Sequence, residues 1–464
     1  MKRLGTTALI IAALLSGCSM QTAYVRPAAA VPQSWPIGAA YLQQSQAGLP
    51  SYDWQQVMGD PRLRAIIAQA LASNQDLRLA AANVAAARAQ FDVQKSELVP
   101  DVTGSANLSR SDSGTGTGTG TATRSNAALQ VGVAGYELDL FGRLRSLGDA
   151  ARSRYLGSVS AAQAVKLMLI ADIADAWLAY GADSTLLALA RQTAAAAQES
   201  VTLTQARYQG GIAPRNDLRQ AEIVLTTAQT DIANQTTLLA QDANALRLLV
   251  GAEVDPAQLP TGIEDAAARI TEVVPGLDST ILLRRPDVVE AEWQLRAANA
   301  EIGAARAALF PKVSLTGLLG LATSALTALF TGGAFTWQAG ATASVPIFGT
   351  GAKANVRVTE AQRDAARAQY QKAIQIAFSD VANVLARRGT IADQLAAVRR
   401  GDAAAADNLG LAELRYRNGI DSYLLNLTAR LARYNAAKTL VQTRLLDATS
   451  RIALYRALGG DASL

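Results

Sequence analysis

The stretch Arg284–Thr316, RRPDVVEAEWQLRAANAEIGAARAALFPKVSLT, passes from helical to strand patterning within a few residues. Asp287 suits the cap of a helix whose first position is prepared by Pro286, because a short side-chain oxygen accepts from free N–H groups and proline holds φ near its helical value. Small residues fill the helix, among them Ala297, Ala300, Gly303, Ala304 and Ala307, and they let a neighbouring helix approach closely. Pro311 ends it, since proline cannot donate to the helical ladder and restricts Phe310 before it. Beyond the break Val313, Leu315, Gly317, Leu319 and Leu321 alternate with polar Lys312, Ser314 and Thr316. That period of two describes a strand with one apolar side.

The first half of the chain carries the same unit. Asp76–Val102, DLRLAAANVAAARAQFDVQKSELVPDV, parallels Asp287–Val313, with Asp76 matching Asp287 and Pro100 matching Pro311, so the two halves read as repeats. After Pro100, Val102, Gly104, Ala106 and Leu108 alternate with polar residues; a Gly-Thr run over Gly114–Thr121 makes a loop. A second strand alternates Leu129, Val131 and Val133 and ends near Leu140-Phe141-Gly142. In the second half a strand over Lys312–Leu321 is followed by an apolar loop. A last strand then alternates Phe335, Trp337, Ala339, Ala341, Ala343 and Val345 before Pro346-Ile347-Phe348-Gly349, which matches Phe141-Gly142. Four strands of about ten residues with this alternation fit a transmembrane β-barrel; one face of a soluble sandwich is the competing pattern.

Helical patterning occupies most of the remainder. A helical region opens at Asp60-Pro61 and runs to Val99. Leu147–Gln209 and Lys353–Arg417 predict two very long helices, each returning after a glycine turn through a shorter helix, near Asp217–Val250 and Ser422–Leu458. At ~1.5 Å per residue a sixty-residue helix is about 90 Å long, enough to cross a periplasm. In the last helix Leu424, Leu427, Leu431, Tyr434, Val441, Leu445, Ala448, Ile452 and Tyr455 follow a 3-4 spacing interrupted by Lys438, which implies supercoiling against neighbours. Gly251–Leu283, with Pro256, Pro260 and Pro275, is a mixed connector between the repeats.

Composition narrows the functions. Half of the residues are hydrophobic but only 5% are aromatic, which favours thin helix packing. Histidine is absent and Cys18 is the only cysteine, so His-based triads, zinc sites and intramolecular disulfides are excluded. No enzyme, cofactor or metal is expected; four methionines without histidine give a dedicated copper or silver path little ligand support. The net charge of +5 comes without a basic cluster interleaved with aromatics, so no nucleic-acid partner is expected. Residues 1–17 have a basic start and an apolar run too short to span a bilayer, the pattern of a signal peptide. Leu15-Ser16-Gly17-Cys18 resembles the lipobox of bacterial lipoproteins, in which the cysteine is lipidated, and Ser19 in place of Asp favours outer-membrane sorting. Residues 18–58, rich in proline and carrying Tyr24, Trp35, Tyr52 and Trp54, read as an extended arm over the body.

Two turns join the helix pairs: Ala206-Arg207-Tyr208-Gln209-Gly210-Gly211-Ile212-Ala213 and Leu414-Arg415-Tyr416-Arg417-Asn418-Gly419-Ile420-Asp421. Gly211 and Gly419 suit helix C-termini that need positive φ, and Pro214 suits a restart.

Taken together, the RPD opening, the FPxxSLT strand entry, the lipobox, the repeats and the RYxxG turns resemble the outer-membrane efflux proteins of the TolC, OprM and NodT type over nearly the whole mature chain. The resemblance implies a mainly α fold with a membrane β-barrel: a long α-helical barrel continuous with a trimeric transmembrane β-barrel that takes four strands per chain. It implies a lipid-anchored arm at 18–58, a first repeat at 59–265 and a second at 266–464. It also implies the exit duct of a tripartite efflux pump, a homotrimer in outer-membrane lipid that works with a periplasmic adaptor and an inner-membrane RND-type transporter. A duct for type I protein secretion is the alternative on the same fold, and a periplasmic coiled-coil lipoprotein is the rival from another class. By resemblance Cys18 is the lipidation site, and Asp217, Tyr416, Arg417 and Asp421 form the periplasmic gate. Gly210, Gly211, Ile212, Asn418, Gly419 and Ile420 form the tip that meets the adaptor. Thr428 departs from the usual acidic residue, which implies rearranged closing pairs.

Overall fold

The computed structural model describes residues 20–42, 53–114, 121–273, 276, 278–324, 326–330, 332–349 and 351–460. Cys18 and the signal segment 1–17 lie outside the described residues, as does the middle of the Gly-Thr run. In chain order the elements are α1 (Trp54–Val57), α2 (Pro61–Ser73), α3 (Gln75–Ser96), β1 (Val102–Gly114), β2 (Thr121–Leu138), α4 (Arg143–Gln209), α5 (Arg215–Val250), α6 (Ile263–Ala267), α7 (Pro286–Ala307), β3 (Lys312–Thr323), β4 (Phe335–Ser344), α8 (Gly351–Arg417) and α9 (Tyr423–Ala457). Short 3-10 turns occupy Pro256–Gln258, Ser279–Arg284 and Leu326–Ala328. The long helices α4 and α8 have 67 residues each, about 100 Å at ~1.5 Å per residue.

The chain divides into two compact units, each drawn from both halves of the sequence. The first takes its described residues from Met1–Ala28, Ala82–Val159 and Glu290–Gln371 and contains the sheet. Its strands lie in the order β1-β2-β3-β4, every neighbouring pair antiparallel. Val102 faces Val133, Leu129 faces Leu321 and Leu319 faces Trp337, so the apolar alternations share a face, as a period of two requires. A register shift between Val133 and Tyr136 carries β2 past the end of β1, which is one reason why it reaches 18 residues where about ten were expected. Neither β1 nor β4 has an outer partner among the described residues, and β4 is exposed along its whole length.

The helix α7 begins at Pro286, within the residues assigned to the second unit, and enters the first from Glu290 onward, so Asp287 sits inside the first turn and does not cap it. Its Oδ1 accepts from the adjacent Val288 N–H at 3.0 Å. The side chain stays useful there because an acidic group offsets the positive end of the helix. The start of the arm docks on α7: the Arg26 guanidinium meets the buried Glu292 carboxylate at 2.6 Å, and Asn299 Nδ2 donates to Thr22 O at 3.0 Å.

The second unit comprises Ala29–Ala81, Ser160–Val289 and Lys372–Leu464. Among the described residues its part of the arm, 29–42 and 53–58, holds one helix, α1, a four-residue helix that Asp53 caps by accepting from Gln55 N. Trp35 is 2% exposed, stacks on Phe378 at 5.2 Å and donates Nε1–H to Gly276 O at 3.0 Å. The single helical region expected from Asp60 onward is broken at Asn74, whose amide donates to Leu249 O at 2.7 Å while its carbonyl accepts from Leu77 N. Those bonds replace helical ones and cap α3.

On α9 the 3-4 stripe is buried from Tyr434 onward at Val441, Ala448, Ile452 and Tyr455. Lys438 interrupts it for a reason. Asp231 of α5 accepts from Lys438 Nζ at 3.1 Å and from Tyr434 OH at 2.6 Å, so the cation is paired. Leu424 and Leu431 depart from the expected stripe and stay 53% and 37% exposed, whereas Tyr423 and Leu427 at the same end of the helix are buried against Ala197, Ala221 and Val224.

Asp183 of α4 and Asp242 of α5 hydrogen-bond to each other, which requires one of them to hold a proton. Burial raises both carboxyls, and for Asp242 the charge of Asp183 raises it further. A carboxyl raised on folding contributes stability that is fully present below its unfolded value of about 3.9 and is lost as pH rises through the folded one. Asp242→Asn keeps a hydrogen-bond donor without needing a proton. The variant is therefore expected to match the parent near pH 4 and to melt higher than it at about pH 8; a deficit at both pH values in thermal melts refutes the shared proton.

Candidate functional site

The two helix-to-helix turns lie in the second unit, and they are the same motif built twice. At the end of α4, Ile212 N–H donates to Arg207 O at 2.8 Å and Gly211 N–H to Tyr208 O at 3.0 Å; at the end of α8, Ile420 N–H donates to Arg415 O at 2.9 Å and Gly419 N–H to Tyr416 O at 3.0 Å. This pair of bonds closes the last carbonyls of a helix only if the next residue is left-handed, and Gly211 and Gly419 have φ of +72° and +70°. Each turn throws an isoleucine outward, Ile212 at 73% and Ile420 at 63% exposure. Asn418 Nδ2 donates a hydrogen bond to Leu414 O at 2.8 Å, while Gly210 continues the helical pattern with its N–H donating to Ala206 O. Pro214 and Ser422 precede the returning helices α5 and α9 without a side-chain cap.

Below the turns Ala197, Ala221, Val224, Tyr423 and Leu427 form a buried cluster, and Tyr416 packs against it. Tyr416 and Tyr423 rings lie 5.5 Å apart. The Arg207 guanidinium donates to Tyr416 OH at 2.6 Å and sits 5.3 Å from the ring centroid, so a cation of the first turn binds the aromatic ring of the second.

The charged gate residues are not gathered by one chain. Asp421 is held by Arg415, not by Arg417: Nε reaches Oδ2 at 2.7 Å and an Nη reaches Oδ1 at 2.9 Å, a fork that keeps the carboxyl below its usual range. The Arg417 side chain is exposed and makes no hydrogen bond or ion pair with any described residue. Asp217 stands in the first turn of α5, half-buried and without a side-chain partner among the described residues. Thr428, in the place of an acid, bonds back to Leu424 O at 2.8 Å, and the nearby Arg430 pairs with Glu413 at 2.7 Å.

Arg207 and Arg415 are the participants that sequence reasoning did not assign. The signal was present in the repeat. Arg207-Tyr208 and Arg415-Tyr416 occupy the same places in their turns, but Asp421 is matched by Ala213. Arg415 thus has a local carboxylate, while Arg207 has none and reaches across to Tyr416.

A four-stranded sheet with two open edges is an incomplete membrane structure, because unpaired backbone groups are not tolerated in lipid. With its long helices and matched turns it defines a class, the channel-forming subunits of the outer membrane. Comparison with known proteins agrees. The sequence pattern of the family described as outer membrane efflux protein matches residues 66–252 and 277–460. The probable efflux pump outer membrane protein TtgC of Pseudomonas putida is 40% identical over 456 residues, covering 97% of this chain and 94% of its own. Outer membrane protein OprJ of Pseudomonas aeruginosa is 36% identical, covering 98% and 95%. Among solved structures, the open state of the MtrE outer membrane channel of Neisseria gonorrhoeae superposes with a TM-score of 0.86 at 33% identity over 96% of this chain and 98% of that one. A structure of CusC gives 0.85 at 34% identity over 96% and 100%. The chain belongs to the outer membrane efflux protein family.

Proposed function

We propose that this protein is the passive exit duct of a tripartite efflux pump, a lipid-anchored homotrimer that carries small organic molecules from an inner-membrane transporter and a periplasmic adaptor across the outer membrane. The observation that carries the proposal is the open-edged sheet. The four strands among the described residues cannot close a barrel, the smallest bacterial ones having about eight; two copies bring eight such strands and three bring twelve, and the family resemblance favours three. The relatives from Pseudomonas putida are named for toluene, solvent and antibiotic efflux, which supports small apolar cargo. Deleting the gene is expected to lower tolerance to solvents and antibiotics, with recovery on complementation. Unchanged tolerance together with a secretion defect refutes the proposal. Cys18 is proposed as the acylated N-terminus, which intact-mass analysis checks directly.

The same proposal makes the paired turns, with Gly210, Gly211, Ile212, Asn418, Gly419 and Ile420, the end that meets the adaptor. Resting closure falls to Arg417 and Asp217 of different copies, because Arg415 already holds Asp421 and Arg207 holds Tyr416. Exposed pairs of this kind contribute only about 0–1 kcal/mol each, so three of them make a latch that an adaptor can open. Arg417→Ala is expected to raise single-channel conductance or opening frequency in planar bilayers, and high salt is expected to move the wild type in the same direction. An unchanged conductance with the trimer intact assigns closure to apolar packing around Tyr416 and Ile420.

A further inference from the structure

The two halves of the chain run through the same elements: a 22-residue helix, a strand hairpin and a 67-residue helix. The same residues mark their joints, Pro100 and Pro311 before the first strand of each hairpin, Phe141-Gly142 and Phe348-Gly349 after the second. The surroundings of those joints differ. Where the first hairpin ends, Phe141 stacks on Phe310 with ring centroids 4.8 Å apart and planes at 21°, and Leu138 lies across from Val313. The start of the second hairpin thus covers the end of the first. Where the second hairpin ends, Phe348 is 95% exposed; Val99, which stands at the position of Phe310, is 61% exposed. One joint is closed within the chain, and the matching joint is two bare halves at opposite edges of the sheet.

We propose that Phe348 packs against Val99 of a neighbouring copy of this chain, repeating between copies the joint that Phe141 and Phe310 make within one. The inference rests on the assembly proposed above and specifies its contact. Moving the Leu138–Val313 pairing to the second joint places Val345 across from Val102 of the neighbour. As far as the register shift of the first joint, β4 then meets β1 with Val345 and Ala343 on the same face as Val102 and Gly104. A slip of one residue sets each apolar series against the polar one, which a sheet with a buried or lipid-covered face does not accept. Ser344 and Asp101 stand where Glu137 and Lys312 pair at 2.8 Å, so this ion pair is not repeated and the joint between copies depends on apolar burial.

The test places Val99→Cys and Phe348→Cys together in the full-length protein and treats outer membranes with a short-spacer bismaleimide. Covalent dimers and trimers on a denaturing gel are expected from the double variant and from neither single one. If the double variant stays monomeric on that gel while native mass spectrometry still finds trimers, the joint is wrong and the trimer stands. If native mass spectrometry finds monomers for the wild type, both fall. Because Phe348 and Val99 are exposed in the single chain, their replacement does not disturb its own packing, and two further variants read the contact by sign. Val99→Phe recreates the aromatic pair of the first joint and is expected to raise the temperature at which the assembly dissociates on the gel, whereas Phe348→Ala is expected to lower it. No shift in either refutes the contact.

Discussion

Gly389→Ala is expected to lift residues 40–42 from α8. A Cβ at Gly389 lies 2.3 Å from Ala40 O, 2.4 Å from the Tyr41 carbonyl carbon and 2.5 Å from Leu42 N. All three are backbone atoms, so no rotamer change relieves the clash. The segment is held there by one main-chain bond, Leu42 N–H to Leu385 O at 3.0 Å, with a net worth of about 1 kcal/mol, whereas forcing a methyl group into occupied space costs about 1–3 kcal/mol. The arm therefore yields before the helix does. The sign is informative, because in an open helix Gly→Ala stabilises by about 1 kcal/mol. Gly401 of the same helix has nothing within 4 Å of an added Cβ, and Gly401→Ala is expected to raise the melting temperature where Gly389→Ala does not. Amide exchange at Leu42 checks the local effect: protection is lost in Gly389→Ala while Trp35, with its own stacking and hydrogen bond, stays docked. Retained protection at Leu42 shows that the arm is not seated in this notch.

Asp447→Ala is expected to cost about 3–5 kcal/mol, the usual result of leaving one member of a buried pair behind. Arg388, next to the glycine notch on α8, has a side chain only 5% exposed. Its Nη1 donates to Asp447 Oδ1 at 2.5 Å and to Ser450 Oγ at 3.2 Å, and its Nη2 donates to Glu272. Asp447 also accepts from Arg451 at 2.6 Å through its other oxygen. Removing the carboxylate leaves Arg388 with two neutral acceptors, Ser450 Oγ and the main-chain oxygen of residue 447, and with Glu272, which is 46% exposed and therefore a screened partner. Arg451, itself 28% exposed, can turn to solvent, and Arg451→Ala is expected to cost well under half as much. Thermal melts of the detergent-solubilised protein followed by helix ellipticity give the order. If Asp447→Ala is no worse than Arg451→Ala, Glu272 is the only carboxylate that Arg388 needs. Replacing Arg388 and Asp447 together by methionine and leucine is expected to recover most of the loss, since no charge then stays buried without a partner.

Where the sequence and the structure agree, the deciding interactions are local. Strand alternation, the stop at Pro311 and the glycines that end α4 and α8 act within a few residues, so composition and spacing sufficed for the four strands, the long helices and the two turns. The break at Asn74 and the extra length of β2 escaped, because the first depends on Leu249 and the second on pairing with β3, both far along the chain. The gate shows the same division. RYRNGID contains two arginines that flank one tyrosine, and sequence alone does not distinguish which of them reaches Asp421; the helical rotation at the end of α8 turns Arg415 toward it and leaves Arg417 outward. By itself the sequence determined what kinds of element this chain makes and where they stop, since helix and strand periods and backbone restrictions are properties of neighbouring residues. Only the tertiary structure decided that Gly389 is a notch for the arm, that Arg388 is a buried cation, that Arg207 crosses to Tyr416 and that β2 joins β3, because each depends on groups brought together across scores of residues by packing that no local pattern records.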